Sequence, residues 1–224
     1  MTDVADYRAV LKRVAVVLAS YALFEGAVFA YCVAQGINFA SSIGALGLLS
    51  AFFLWRGGLR AAAVWRWGAL FFAALLLPGL LLWPAVAPVD LLVAFLRHRT
   101  NQALVVGAYL IVLPLMLTWT ARELGRESVA AARRAAGRKP IDRRYPIGLG
   151  TTLALGAWSL FIVLFNGSAA KQAERLAAER FGPEYRYRTI GLYGFTSGAD
   201  SAVFATVAMW NEHELKVLGP SFMR

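Results

Sequence analysis

Glu25 has the strongest claim to chemistry in this sequence, because it is an acid inside the apolar run VAVVLASYALFEGAVFAYCVA at 14–34. An ionisable group at membrane depth is expensive and often functional. Three roles compete for it. It fits a proton or cation site in a transporter, or a hydrogen-bonding contact to a partner helix or cofactor. It also fits a neutral acid satisfied by Ser20, Ser41, Ser42 or a backbone carbonyl, with only a packing role.

Other reactive groups are sparse. Cys32 is the one cysteine, which excludes an intrachain disulfide. His98 and His213 are the only other soft ligands, too few for the usual Cys/His zinc site. Neither histidine falls in an apolar run, so axial haem ligation has no support. Walker-type, HExxH, CxxC and GxSxG patterns are missing. Gly148-Leu149-Gly150 has no strand before it, as a dinucleotide site requires, and reads as helix packing. No catalytic residue, metal or cofactor is expected.

Composition names the solvent. Of 224 residues 59% are hydrophobic and 16% charged, with mean hydropathy +0.57. Soluble domains run at about 45–50% apolar and about 25% charged. Lipid is therefore the expected surroundings of much of the chain. A spanning helix needs about 20 apolar residues. Five runs qualify, at about 14–34, 39–55, 67–87, 102–121 and 146–165. Pro78, Pro84 and Pro114 should kink the third and fourth spans, Asn101 suits a cap, and Pro146 suits a first helical turn. The first run loosely fits a cleaved signal, with Lys12-Arg13 before it and Val28-Phe29-Ala30 near its end. It is longer than a signal needs and carries Glu25, so it is expected to be retained.

Charge sets the orientation. Lys and Arg in short loops stay cytoplasmic. Segments 1–13, 56–66 and 122–145 hold fourteen of them, while 35–38 and 88–101 hold two. The N-terminus should be cytoplasmic and the tail periplasmic. The stretch LWRGGLRAAAVWRW at 54–67 could also suggest stacked bases with arginines on phosphates. Its position at the expected rim favours interfacial anchoring instead, so no nucleic-acid partner is expected. The anchors are Trp55, Arg56, Arg60, Trp65, Arg66, Trp67 and Trp119, with Tyr145 at the same level and Tyr31, Phe39 and Trp83 near the outer ends. Segment 122–137 reads as a continuation of the fourth span, ended by Gly137 and Pro140. Its Arg133 and Arg134 would meet anionic lipid headgroups or an acidic partner, or form a solvated face that only sets topology.

Two elements complete the layout. PVDLLVAFLRHR, at 88–99, makes a short helix along the outer interface, with Leu91, Leu92, Phe95 and Leu96 on one face and Asp90 as cap. After a break at Asn166-Gly167-Ser168, segment 166–224 reads as an α+β module. A helix carries Ala169, Ala173, Leu176, Ala177 and Phe181 on one face and stops at Gly182-Pro183. It packs on a three-stranded antiparallel sheet whose first strand turns Tyr185, Tyr187, Thr189 and Tyr193 to one side. The second strand, with Val203, Phe204, Val207, Met209 and Trp210, has more apolar surface than one helix covers. Phe204, Met209 and Trp210 are therefore partner-contact candidates, or the module leans on the outer loop or the bilayer.

The expected architecture is an α-helical integral membrane protein: five transmembrane helices over 1–165, then the extracytoplasmic module at 166–224. Gly148, Thr152 and Gly156 form a smooth packing face on the fifth span. Ala40, Gly44 and Gly47 form a weaker one on the second. The wealth of Ala and Arg fits a high-GC bacterium, hence a bacterial inner membrane. The leading reading is a non-catalytic accessory or assembly subunit of a larger membrane complex. A small transporter or channel protomer working through Glu25 comes next, and a lipid-modifying membrane enzyme last.

Overall fold

The computed structural model describes residues 3–36, 43–139, 142–197 and 200–219, and within these the side chains outside 3–5 and 194–203. The chain is mostly helical: α1 Asp3–Ala34, α2 Ile43–Trp55, α3 Leu59–Val86, α4 Val89–His98, α5 Thr100–Glu123, α6 Glu127–Ala135, α7 Arg144–Asn166 and α8 Ser168–Phe181. Strands β1 Arg186–Ser197, β2 Asp200–Trp210 and β3 Leu215–Leu218 follow. Four helices are long and apolar enough to cross a membrane: Asp6–Ala34, Leu59–Val86, Thr100–Glu123 and Arg144–Asn166. Helix α2 is apolar but has 13 residues. That is about 20 Å, short of the roughly 30 Å of bilayer hydrocarbon. Phe39, Ala40, Ser41, Ser42 and Pro140 lie outside the described residues.

By internal packing the chain divides into two units, Met1–Leu77 with Gly107–Leu153, and Pro78–Val106 with Ala154–Arg224. In the first, α1 and α2 run antiparallel. The Lys12 ammonium lies 5.6 Å over the Trp55 ring at one end, and Gly44 meets Glu25 at the other. The core between them holds Leu11, Val14, Leu18 and Leu54, and continues through Ala69 and Ala73 of α3 to Leu113 and Leu117 of α5.

Several boundaries differ from the sequence reading. The connection read as 56–66 is only Arg56-Gly57-Gly58, because helix resumes at Leu59. Gly57 makes this tight turn at φ +81°, a backbone region that side chains disfavour. Helices α3 and α5 run on through Pro78, Pro84 and Pro114. Asn101 lies inside α5 and does not cap it. Pro88 holds the N-cap position of α4, and Asp90 pairs with Arg186 instead. The expected continuation through 122–137 is broken after Glu123. At Gly125 the turn passes the Arg66 guanidinium so closely that a Cβ would lie 2.8 Å from Nη2.

In the second unit the sheet has order β1-β2-β3, both pairs antiparallel. It carries a helix on each face. Ala173 and Ala177 of α8 pack on Ala205 and Val207. Leu91 and Ala94 of α4 pack on Ala208, Trp210 and Leu215. The register slips by one residue between Thr189 and Gly191, which reverses the alternation along β1. Tyr187 and then Leu192 therefore pack toward α8, while Tyr193 is 60% exposed. The single tyrosine face expected for this strand is thus split at Ile190. Thr189 is fully buried, its hydroxyl donating to the Ala170 carbonyl and its amide to Glu174 Oε1.

Candidate functional site

Glu25 sits 13 residues beyond Lys12 on α1, about 20 Å along the axis. It is 5% exposed, and among the described residues neither carboxyl oxygen has a hydrogen-bond partner. Gly44 faces it directly; a Cβ there would overlap Oε2. Gly47, one turn on, lies under the Trp65 ring and the Leu18 carbonyl. The small-residue face on α2 thus brings α2 against α1. Tyr21, one turn before Glu25, is buried and within electrostatic range of both Glu25 and Tyr109 of α5. The Tyr21–Glu25 spacing of four was readable from the sequence; Tyr109, brought in by tertiary packing, was not.

Further along the same unit, Trp65 is 8% exposed and donates from Nε1 to Thr120 Oγ1 at 3.3 Å. It was expected as an interface anchor, but its ring fills the core instead. Trp55 and Trp67 do reach the surface, 55% and 40% exposed, and Trp119 is half-buried. Arg56 lies 4.2 Å over the Phe52 ring. Glu123 is buried and accepts from Arg126 at 2.7 Å, with Arg13 at 3.7 Å. Arg134 pairs with Glu127.

Arg60, Arg133, Arg138 and Lys139 line a cleft of about 560 Å³ whose apolar wall is Ala63 and Val64. Arg133 is fixed by donating to the Leu59 carbonyl at 3.4 Å and the Lys139 carbonyl at 2.9 Å. Burial, and then the neighbouring Arg138, push its guanidinium below the usual arginine range. Arg66 lies within range of Arg133 and Arg143.

On α7, Gly148 and Gly156 have nothing within 4 Å, and Thr152 is exposed. The close approach to α3 within this chain is made two residues on. Gly150 touches the Phe71 carbonyl, with Ala74 Cβ 3.0 Å from where its own Cβ would be, and Ala154 one turn later is buried.

The second unit has its own cleft, about 370 Å³, with Asp90, Arg97 and His98 from α4 facing Glu184, Arg186 and Glu212. His98 Nε2 is buried, without a partner among the described residues. Nearby, Glu214 accepts from Lys216 and Tyr185, which together hold its carboxyl below the usual range. Of the expected partner contacts, Met209 and Trp210 are 2% and 6% exposed, and Phe204 is half-buried. The two-sided helical cover of β2 accounts for the apolar surface that suggested a partner.

Among the described residues no cluster of three or more His, Cys, Asp and Glu could hold a metal ion. The class defined is a mostly helical chain with four candidate membrane-spanning helices and a small three-stranded antiparallel sheet near its C-terminus. No family model, curated protein or solved structure matches the chain.

Proposed function

We propose that this chain is a non-catalytic accessory or assembly subunit of a larger complex in a bacterial inner membrane. In this reading the apolar run at 39–55 supplies a fifth crossing. The N-terminus and α6 lie in the cytoplasm, and α8 with the sheet lies in the periplasm. The charge bias of the loops supports the orientation.

The observation that carries the proposal is the outward face of α7. Gly148, Thr152 and Gly156 are spaced by four with open space before the glycines. In lipid, small residues of this spacing let a second helix approach closely. Solubilisation in mild detergent followed by mass spectrometry of co-purifying chains tests it. A partner membrane protein should be retained by the native chain and lost from Gly148→Leu/Gly156→Leu while the subunit stays folded. A strictly monomeric chain with no partner would overturn the proposal.

A second reading, a small transporter or channel protomer, draws on the two unpartnered oxygens of Glu25. It predicts proton- or cation-coupled flux in proteoliposomes, abolished in a folded Glu25→Gln protein.

A further inference from the structure

We propose that the cleft lined by Arg60, Arg133, Arg138 and Lys139 binds the phosphate headgroup of an anionic phospholipid. Four cations line it, and among the described residues no carboxylate does. Arg66 lies within electrostatic range of Arg133, and of Arg143 as well. Among the described residues none of these six cations forms an ion pair, although elsewhere in the first unit Arg13 and Arg126 share Glu123 and Arg134 has Glu127. Like charges held this close repel, and an anion between them relieves the repulsion.

The site is built as well as charged. Arg133 is held in place by two backbone carbonyls. Among the described residues, Arg138 Nη1 is buried without an acceptor, as is Arg66 Nε. A buried guanidinium nitrogen with no partner is costly, and a phosphate oxygen is the acceptor it fits best.

The wall identifies the source of the phosphate. Ala63 and Val64 lie within the first two turns of α3, one of the helices long enough to cross a membrane. Val64 is 73% exposed. A lipid can set its headgroup among the cations and run its acyl chain along Val64 and the apolar helix beyond. Nucleic acid or an acidic protein would leave that apolar wall uncovered. The inference rests on the chain residing in a bilayer and not on its having a protein partner.

The test is native mass spectrometry of the purified full-length chain from mixed micelles of phosphatidylglycerol and phosphatidylcholine. The native chain should retain phosphatidylglycerol preferentially, and Arg133→Gln/Arg138→Gln should weaken that retention roughly 10- to 30-fold. Arg60→Gln/Lys139→Gln alters two exposed residues without removing a hydrogen bond, so it reports on binding even if the first variant folds poorly. It should lose affinity similarly, while Arg175→Gln on α8 should not. Equal retention of both lipids by the native chain would overturn the proposal. So would displacement of phosphatidylglycerol by equimolar inorganic phosphate, which would make the ligand a soluble phosphate compound. Co-purification of a protein partner is a separate measurement and can fail independently.

Discussion

Gly44 on α2 lies directly against the Glu25 carboxyl group on α1, leaving no room for a side chain between the two helices. The acid is therefore both buried and sterically clamped. Gly44→Ala should push the Glu25 carboxyl group out of its place, costing about 1–3 kcal/mol. Gly26→Ala, at the residue after Glu25, meets nothing within 4 Å and should cost nothing comparable. Thermal unfolding in detergent by circular dichroism checks both; equal melting temperatures would contradict the clamp.

Helix α7 offers a paired comparison. Gly150→Ala should destabilise the isolated chain, because its Cβ meets the Phe71 carbonyl and Ala74. Gly148→Ala and Gly156→Ala should not lower its melting temperature, since a Cβ has open space at both positions and alanine favours the helix.

Thr120 is fully buried and accepts the Trp65 indole proton. Thr120→Val keeps the shape but removes that acceptor, leaving Nε1–H unpartnered at a cost of about 1–3 kcal/mol. The expected signature is a lower melting temperature; an unchanged one would mean the bond adds nothing to stability.

Glu214 gives the second unit a pH dependence. Its carboxyl is held below its reference value of 4.5 by donors from Lys216 and Tyr185. A depressed folded-state pKa contributes stability above that reference value. The contribution is lost as the pH falls through the folded value. Melting temperature between pH 6 and pH 3 should therefore fall more steeply for the native chain than for Glu214→Gln, which has no carboxylate to protonate.

Much of the helical layout is legible because apolar runs of span length leave few alternatives. Glu25 stands out for the same reason: one acid among hydrocarbons is visible without knowing its neighbours. What stayed hidden depends on contacts distant in sequence. Trp65 looks like a rim residue until Thr120, 55 positions away, is brought beside it. The turn at Gly125 between α5 and α6 lies against Arg66 of another element. The slip at Ile190 reverses a strand's faces, though the residues alternate cleanly on paper. Trp210 looked uncovered because its cover, α4, precedes it by more than a hundred residues.

That last pairing dictates an order of manufacture. Helix α4 is made long before β2 exists, so Leu91 and Ala94 wait through about a hundred residues of synthesis for the surface they pack on. The final strands act as a late fastener on a helix laid down earlier. No segment shorter than 89–218 holds the sheet together with both its covering helices, and a stop codon before Asp200 would strand α4 with its apolar side unmet. Loss of the tail should thus be felt as failed maturation of the α3–α5 connection as well as loss of a terminal appendage.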